Sequence, residues 1–368
     1  MPSPGPGTLP ATLDTSIVLC ERFASSLAPN APVDLPPTSH NTPSPLILLD
    51  AAAAGLRSQV TKLSLLAITA PFTPSAVTTC LLPLNESILT SLVTAAILTT
   101  PEQFTDSFSA ECRALTATTL RDLQSLLRLL KTRSEDGKPK AELPVPEKKA
   151  FTEATGRVWD GCDKLRPLAS QGLPGYVVRK SKQWLELMKD AVKELEDWDP
   201  EEDVADDDFF GGDLADDDSP SGLEADHKDT DRAAISAGVK EQALKVLNRI
   251  PQSIHVVIKQ RLEKISPASQ AVALQRTQLD TLLKRNRHIS ELIDESAEAM
   301  YLGDPELCLK KAGEARAVTI EVVESVIQPF PQTDSTANTS ETKEDKYVKR
   351  ALEWIKQVDP GGYSPNPR

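Results

Sequence analysis

The sequence predicts an all-α fold of antiparallel helical bundles, in two helical halves joined by an acidic disordered linker, and three observations lead there. Apolar residues recur at alternating spacings of three and four along most of the chain, the period of one helix face. Alternating β-branched runs bounded by tight turns, the mark of strands, are missing. Prolines and acidic residues are concentrated in particular segments: ten of the 29 prolines fall before residue 46, and Glu194 to Asp231 holds 18 acidic residues against one lysine. The 368 residues suit two packed domains, and 39% apolar with 26% charged residues is ordinary for a folded chain.

Residues 1–45 read as a proline-rich flexible leader that holds one short amphipathic segment, around Leu13 to Leu27. An N-terminal helical bundle is expected over 46–198. Its first helix carries Leu49, Ala53, Leu56, Val60, Leu63 and Ala67 on one stripe and ends at Ala70-Pro71-Phe72-Thr73-Pro74. A second runs over about 75–99 with a kink at Pro83. A third starts at Pro101 and lines up Phe104, Phe108, Leu115, Leu123, Leu127 and Leu130. After a charged loop, helices at about 149–168 and 175–198 flank Gly172-Leu173-Pro174-Gly175, and the second of them repeats Trp184, Met188, Ala191, Leu195 and Trp198. The acidic linker spans 199–231, too polar to bury enough surface to offset its ordering entropy. A C-terminal helical region over 232–330 follows, with Val239, Ala243, Val246 and Ile250 first and Leu279, Leu282, Ile289, Ile293 and Met300 later. Residues 331–368 read as a polar gap, a short helix with Tyr347, Ala351, Trp354 and Val358 on one face, and a tail.

The net charge of −13 argues against a dedicated DNA or RNA binder, which needs clustered Lys and Arg. That charge belongs to one segment: Glu194 to Asp231 carries −17 and the remainder +4. Five widely spaced cysteines (Cys20, Cys80, Cys112, Cys162, Cys308) form no C-x-x-C pair, so each reads as a small buried apolar residue in a reducing compartment. No basic n-region precedes an early apolar run, and the most apolar stretch, Ile88 to Leu98, is eleven residues interrupted upstream by Pro83, Asn85 and Glu86. A soluble intracellular protein is expected.

Catalytic, metal and cofactor constellations do not emerge. The four histidines (His40, His227, His255, His288) show no metal-ligand spacing, and His255 and His288 read as exposed helix residues. An EF-hand register started at Asp206 fails at Phe210 and at Asp217, where an oxygen ligand and a bidentate Glu are required. Within the linker, Phe209 and Phe210 are candidates for partner contact, and Ser219 and Ser221 for phosphorylation, which would add like charge. Arg-x-Leu triplets at Arg113, Arg121 and Arg350 are too common by chance to carry weight.

The most specific pattern is Thr155-Gly156-Arg157-Val158-Trp159-Asp160-Gly161-Cys162-Asp163-Lys164-Leu165, followed by Leu187-Met188-Lys189-Asp190-Ala191-Val192-Lys193-Glu194-Leu195-Glu196-Asp197-Trp198 and an acidic run. It resembles the cyclin-D-binding protein 1-like family over about 45–330. The residues that carry the resemblance are Gly156, Val158, Trp159, Cys162, Asp163, Leu165, Lys189, Asp190, Ala191, Glu194 and Leu195. Val158, Cys162 and Leu165 share one helix face, so a packing role is the simplest reading. The resemblance implies a non-enzymatic regulator that binds D-type cyclins and helix-loop-helix transcription factors, restrains the cell cycle, and occurs in nucleus and cytoplasm. A basic DNA-reading region is not expected, because Asp226-His227-Lys228-Asp229-Thr230-Asp231 has the opposite charge. An independent leucine zipper is not expected either, since leucines do not hold a seven-residue repeat. Two other readings stand beside it: an acidic histone-binding chaperone, and a vinculin- or catenin-like helical scaffold.

Overall fold

The computed structural model describes residues 8–29, 31, 44–135, 142–199, 222–265, 271–330 and 342–358. Among them there are helices and turns and no strand, as an all-α chain requires. Packing divides the chain into two units, Met1–Tyr176 and Val177–Arg368. Composition placed the boundary at the acidic segment. Contacts place it earlier, inside one long helix, because the part after Gly172 buries Val177, Leu185, Met188 and Leu195 and bonds to later helices.

In unit 1, α1 (Leu9–Ser26) lies inside the segment read as a leader. Pro10 sits in its first turn, where a missing N–H costs nothing, and Leu9, Leu13, Cys20 and Ala24 are buried. α1 runs antiparallel to α5 (Asp106–Glu135), with Lys131 paired to Asp14 at 2.7 Å and Gln124 Nε2 donating to the Ile17 carbonyl. All six stripe residues of α2 (Pro45–Ile68) are fully buried.

α3 (Pro74–Pro83) passes through a π turn, Leu84–Ile88, into α4 (Leu89–Leu98). Pro83 has no N–H to donate, and the widened turn absorbs it, the Leu89 N–H reaching the Leu84 carbonyl. The expected interruption at Pro83, Asn85 and Glu86 is therefore corrected. Pro74–Leu98 is one helical run of 25 residues with a window of mean hydropathy 1.6, long and apolar enough to cross a membrane by length and composition. In the fold it buries Val77, Leu81, Leu84, Leu89 and Leu92, and α3 and α4 pack on α1, α2 and α5. The third expected helix starts later than Pro101: Pro101 to Phe104 make a turn, and the Thr105 hydroxyl accepts from the Phe108 N–H.

α6 (Val145–Asp197) spans the unit boundary and is broken at Gly172, whose φ of 60° and ψ of −157° only glycine adopts without strain. Within unit 1, Tyr176 stands edge-on to Phe108 at 5.3 Å and donates its hydroxyl to the Ser107 carbonyl.

Unit 2 contains the rest of α6, α7 (Gly222–Leu247), α8 (Arg249–Gln260), a 3-10 turn (Leu262–Lys264), α9 (Ala271–Tyr301), α10 (Pro305–Ser325) and α11 (Lys343–Lys356). α7 begins inside the segment read as linker, and no proline between 222 and 247 stops it. α9 and α10 form a hairpin closed at Gly303 (φ 74°), where the Asp304 N–H returns to the Ala299 carbonyl and Asp304 then caps α10 through Leu307 N. α11 starts with a capping box between Thr342 and Asp345.

The apolar face of α11 differs from expectation: Val348, Ala351 and Ile355 are buried, while Tyr347 is exposed and Trp354 half-buried. Both stripes have helical spacing, and the slimmer aliphatic one fits against α8 and α10. Residues 200–221, with Phe209, Phe210, Ser219 and Ser221, lie outside the described residues, as do 331–341 and 359–368.

Candidate functional site

The first half of the family-like pattern lies on α6 in unit 1 and faces α2 and α5. Val158, Cys162 and Leu165 are fully buried, as their shared face predicts. Trp159, half-buried beside them, donates its indole N–H to Thr61 Oγ1 at 3.2 Å, and the Arg57 guanidinium lies 5.1 Å over its ring. Arg57 also pairs with Asp163 at 2.9 Å, and Arg166 with Asp50 at 3.1 Å. The motif thus forms a ladder of polar contacts along α2. Each partner is substantially exposed, so each pair contributes at most about 1 kcal/mol and serves mainly to set register.

Gly156 has open space where a side chain would begin. Gly161 does not: a Cβ there would fall 2.3 Å from Thr119 Oγ1, so this glycine sets the closest approach of α6 to α5. Within the family-like pattern Gly161 carries no mark beyond its small size. The signal available was a small residue one position before the buried face.

Cys162 packs in the interior of unit 1. Burial, with the Asp163 charge adding to it, pushes its thiol up to about 12. Burial likewise pushes Cys20 to about 12 and Cys112 to about 11, and raises Cys80 and Cys308. All five thiols are buried and free, the arrangement expected from their spacing.

The second half of the pattern lies on α6 in unit 2. Ala191 and Leu195 are buried with Met188 and Val192; Lys189, Asp190 and Glu194 are exposed. Lys189 pairs with Glu186 at 2.8 Å. Glu194 acts on α9: burial raises the Asp294 carboxyl, and the charges of Glu194 and Glu291 raise it further. Trp198 stands edge-on to Tyr301 at 5.5 Å, and the Lys240 ammonium caps the helix end through the Glu196 and Trp198 carbonyls.

A shaped surface of unit 2 runs along the outer face of α8. On one side a cavity of about 490 Å³ is lined by Lys189, Lys193 and Glu196 from α6 and by Gln252 and His255. On the other side a smaller one, about 300 Å³, lies between α8 and α11 and is lined by Tyr347, Arg350 and Trp354. Arg249 fixes the Trp354 ring, stacking 4.9 Å from its centroid while Nη1 donates to the Trp354 carbonyl. His255 and His288 are exposed, as the sequence suggests. The surface therefore offers cations and aromatic rings for contact. Among the Arg-x-Leu triplets, Leu123 is fully buried, so the one at Arg121 presents no leucine.

Residues 48–201 match the family model described as Grap2 and cyclin-D-interacting, N-terminal, which takes in both halves of the pattern. An uncharacterized protein of Schizosaccharomyces pombe is 26% identical over 269 residues, covering 72% of this chain and 72% of its own.

Proposed function

We propose that this chain, whose residues 48–201 match the Grap2 and cyclin-D-interacting, N-terminal family model, is a non-enzymatic regulator that binds a D-type cyclin or a helix-loop-helix transcription regulator and so restrains cell-cycle progression. The observation that carries the reading is the family match itself, which runs from α2 to the end of α6. The placement of the motif supports a scaffold role: Val158, Cys162, Leu165, Ala191 and Leu195 are core, and Trp159 and Asp163 bind α2. Such residues hold the helices that present a surface to a partner. In unit 2 the exposed Tyr347 and Arg350, with Lys193, are the side chains best suited to contact it. A regulator of this kind would work in nucleus and cytoplasm.

The test is reciprocal co-purification of the tagged full chain with D-type cyclins and helix-loop-helix regulators. Recovery of either, weakened by Tyr347→Ala with Arg350→Ala, is the expected result; recovery of neither overturns the reading. The acidic charge of −17 over Glu194 to Asp231 favours a second reading, a histone-binding chaperone. It requires salt-sensitive binding of basic proteins that disappears when 199–231 are deleted.

A further inference from the structure

A separate feature of unit 1 plays no part in that reading. α5 carries Asp106, Ala110, Arg113, Ala117 and Arg121 at successive spacings of four, three, four and four, a single stripe down the helix. Alternation of long cations with alanines leaves room between them. α1 ends at Ser26 over this stripe, and the chain turns through Leu27 and Pro29, while Pro101 closes the other side. The result is a cavity of about 370 Å³ with apolar walls and two guanidinium groups in its lining.

Two of its lining residues, Ser109 and Arg113, carry buried polar atoms without a hydrogen-bond partner. Ser109 is 3% exposed, lines the cavity, and its hydroxyl has no hydrogen-bond partner. Arg113 Nε is also buried without a partner. Neither Arg113 nor Arg121 has an ion-pair partner among the described residues. Asp106 is the single carboxylate in the lining, so two cations face one anion and the balance calls for a monoanion. The planar arginine fork matches a carboxylate in two parallel hydrogen bonds. Leu27, Pro29 and Pro101 supply the apolar contact for a short hydrocarbon body.

We propose that this cavity between α1 and α5 binds a carboxylate on a short apolar stem, supplied by a small organic acid or by an acidic peptide side chain. Arg113 and Arg121 take the charge. Asp106 disfavours a dianion such as phosphate.

The test uses the full chain labelled with ¹⁵N-arginine and titrated with butyrate, with butyramide as a neutral isostere, with inorganic phosphate, and with a blocked peptide carrying one glutamate. Butyrate should shift the Arg113 and Arg121 Nε resonances in a saturable manner, while butyramide should not. Arg121→Gln, on the exposed rim, and Arg113→Lys, which keeps the charge but loses the fork, should each weaken binding about tenfold, the value of one charge-assisted hydrogen bond. A glutamate peptide that binds more tightly than butyrate assigns the source to a protein partner; the reverse order assigns it to a free acid. Equal response to butyrate and butyramide, tighter binding of phosphate, or binding unchanged in both variants would overturn the proposal.

Discussion

The two units are held together by different physics. Unit 1 is an aliphatic core: the α2 stripe is buried from Leu49 to Ala67, and the polar contacts of α6 with α2 are partly exposed and individually weak. Unit 2 adds a buried polar hub. Arg261, 3% exposed, donates Nε to the Val326 carbonyl and Nη2 to the Ile327 carbonyl, both at 2.8 Å, and Nη2 also to Asp345 at 2.7 Å. One side chain at the end of α8 thereby satisfies the end of α10 and the start of α11. Asn286 and Ser181 form a second buried bond, between α9 and α6. An apolar core tolerates repacking, whereas a buried ion that loses its partner does not, so unit 2 is the more brittle of the two.

The largest expected effect tests that contrast directly. Arg261→Met should destabilise unit 2 by about 3–5 kcal/mol, because Asp345 and two carbonyls lose their donor. Denaturant unfolding followed at Trp354 in unit 2 and at Trp159 in unit 1 should show the first transition move and the second stay. Movement of both would dissolve the comparison.

In unit 1 the vulnerable point is steric. Gly161→Ala should cost about 1–3 kcal/mol through the clash with Thr119, and Thr119→Ala should restore most of it, a coupling read from a double-mutant cycle. Gly156→Ala, in open space within the same helix, should instead stabilise by up to about 1 kcal/mol.

Acidity should sharpen the view of unit 2 with two opposite signs. Burial works to raise the Asp345 carboxyl, but the Thr342 N–H and hydroxyl and the Arg261 guanidinium together hold it below the usual range. Its contribution is therefore present above about pH 4 and lost as pH falls through the folded value. Asp294, raised by burial and by Glu194 and Glu291, favours the fold while protonated and loses that contribution as pH rises through its folded value. Unfolding midpoints at neutral and acid pH should show Asp345→Asn weakest at neutral pH and Asp294→Asn stabilised there. The smallest effect is expected at the unit 1 surface: Asp163→Asn should change stability by less than about 1 kcal/mol, since its ion pair with Arg57 is open to solvent.

These features differ in how far they could be read from residue order. The α2 stripe, the five buried thiols and the inward face of Val158, Cys162 and Leu165 follow from spacing, because burial on a helix is a periodic property. Arg261 was invisible: it is one basic residue at a helix end, and its partners lie 65 to 84 positions away. Gly161 escaped for the same reason, since its role is defined by Thr119 on another helix. On α11, two stripes with equal period competed, and only the shape of α8 and α10 decided that Val348, Ala351 and Ile355 go inward.

Residue order carries the helical character of the chain, the place of most helices, the family-like pattern, and the gathering of negative charge between Glu194 and Asp231. Each of these is a local or periodic property, encoded within a few turns of chain. Tertiary structure alone decided that the unit boundary falls inside α6, that α1 belongs to the core of unit 1, and that α5 and the end of α1 enclose a cavity with unpaired donors. Those depend on which faces meet across long separations, and the free energy of such contacts exists only once the helices have packed.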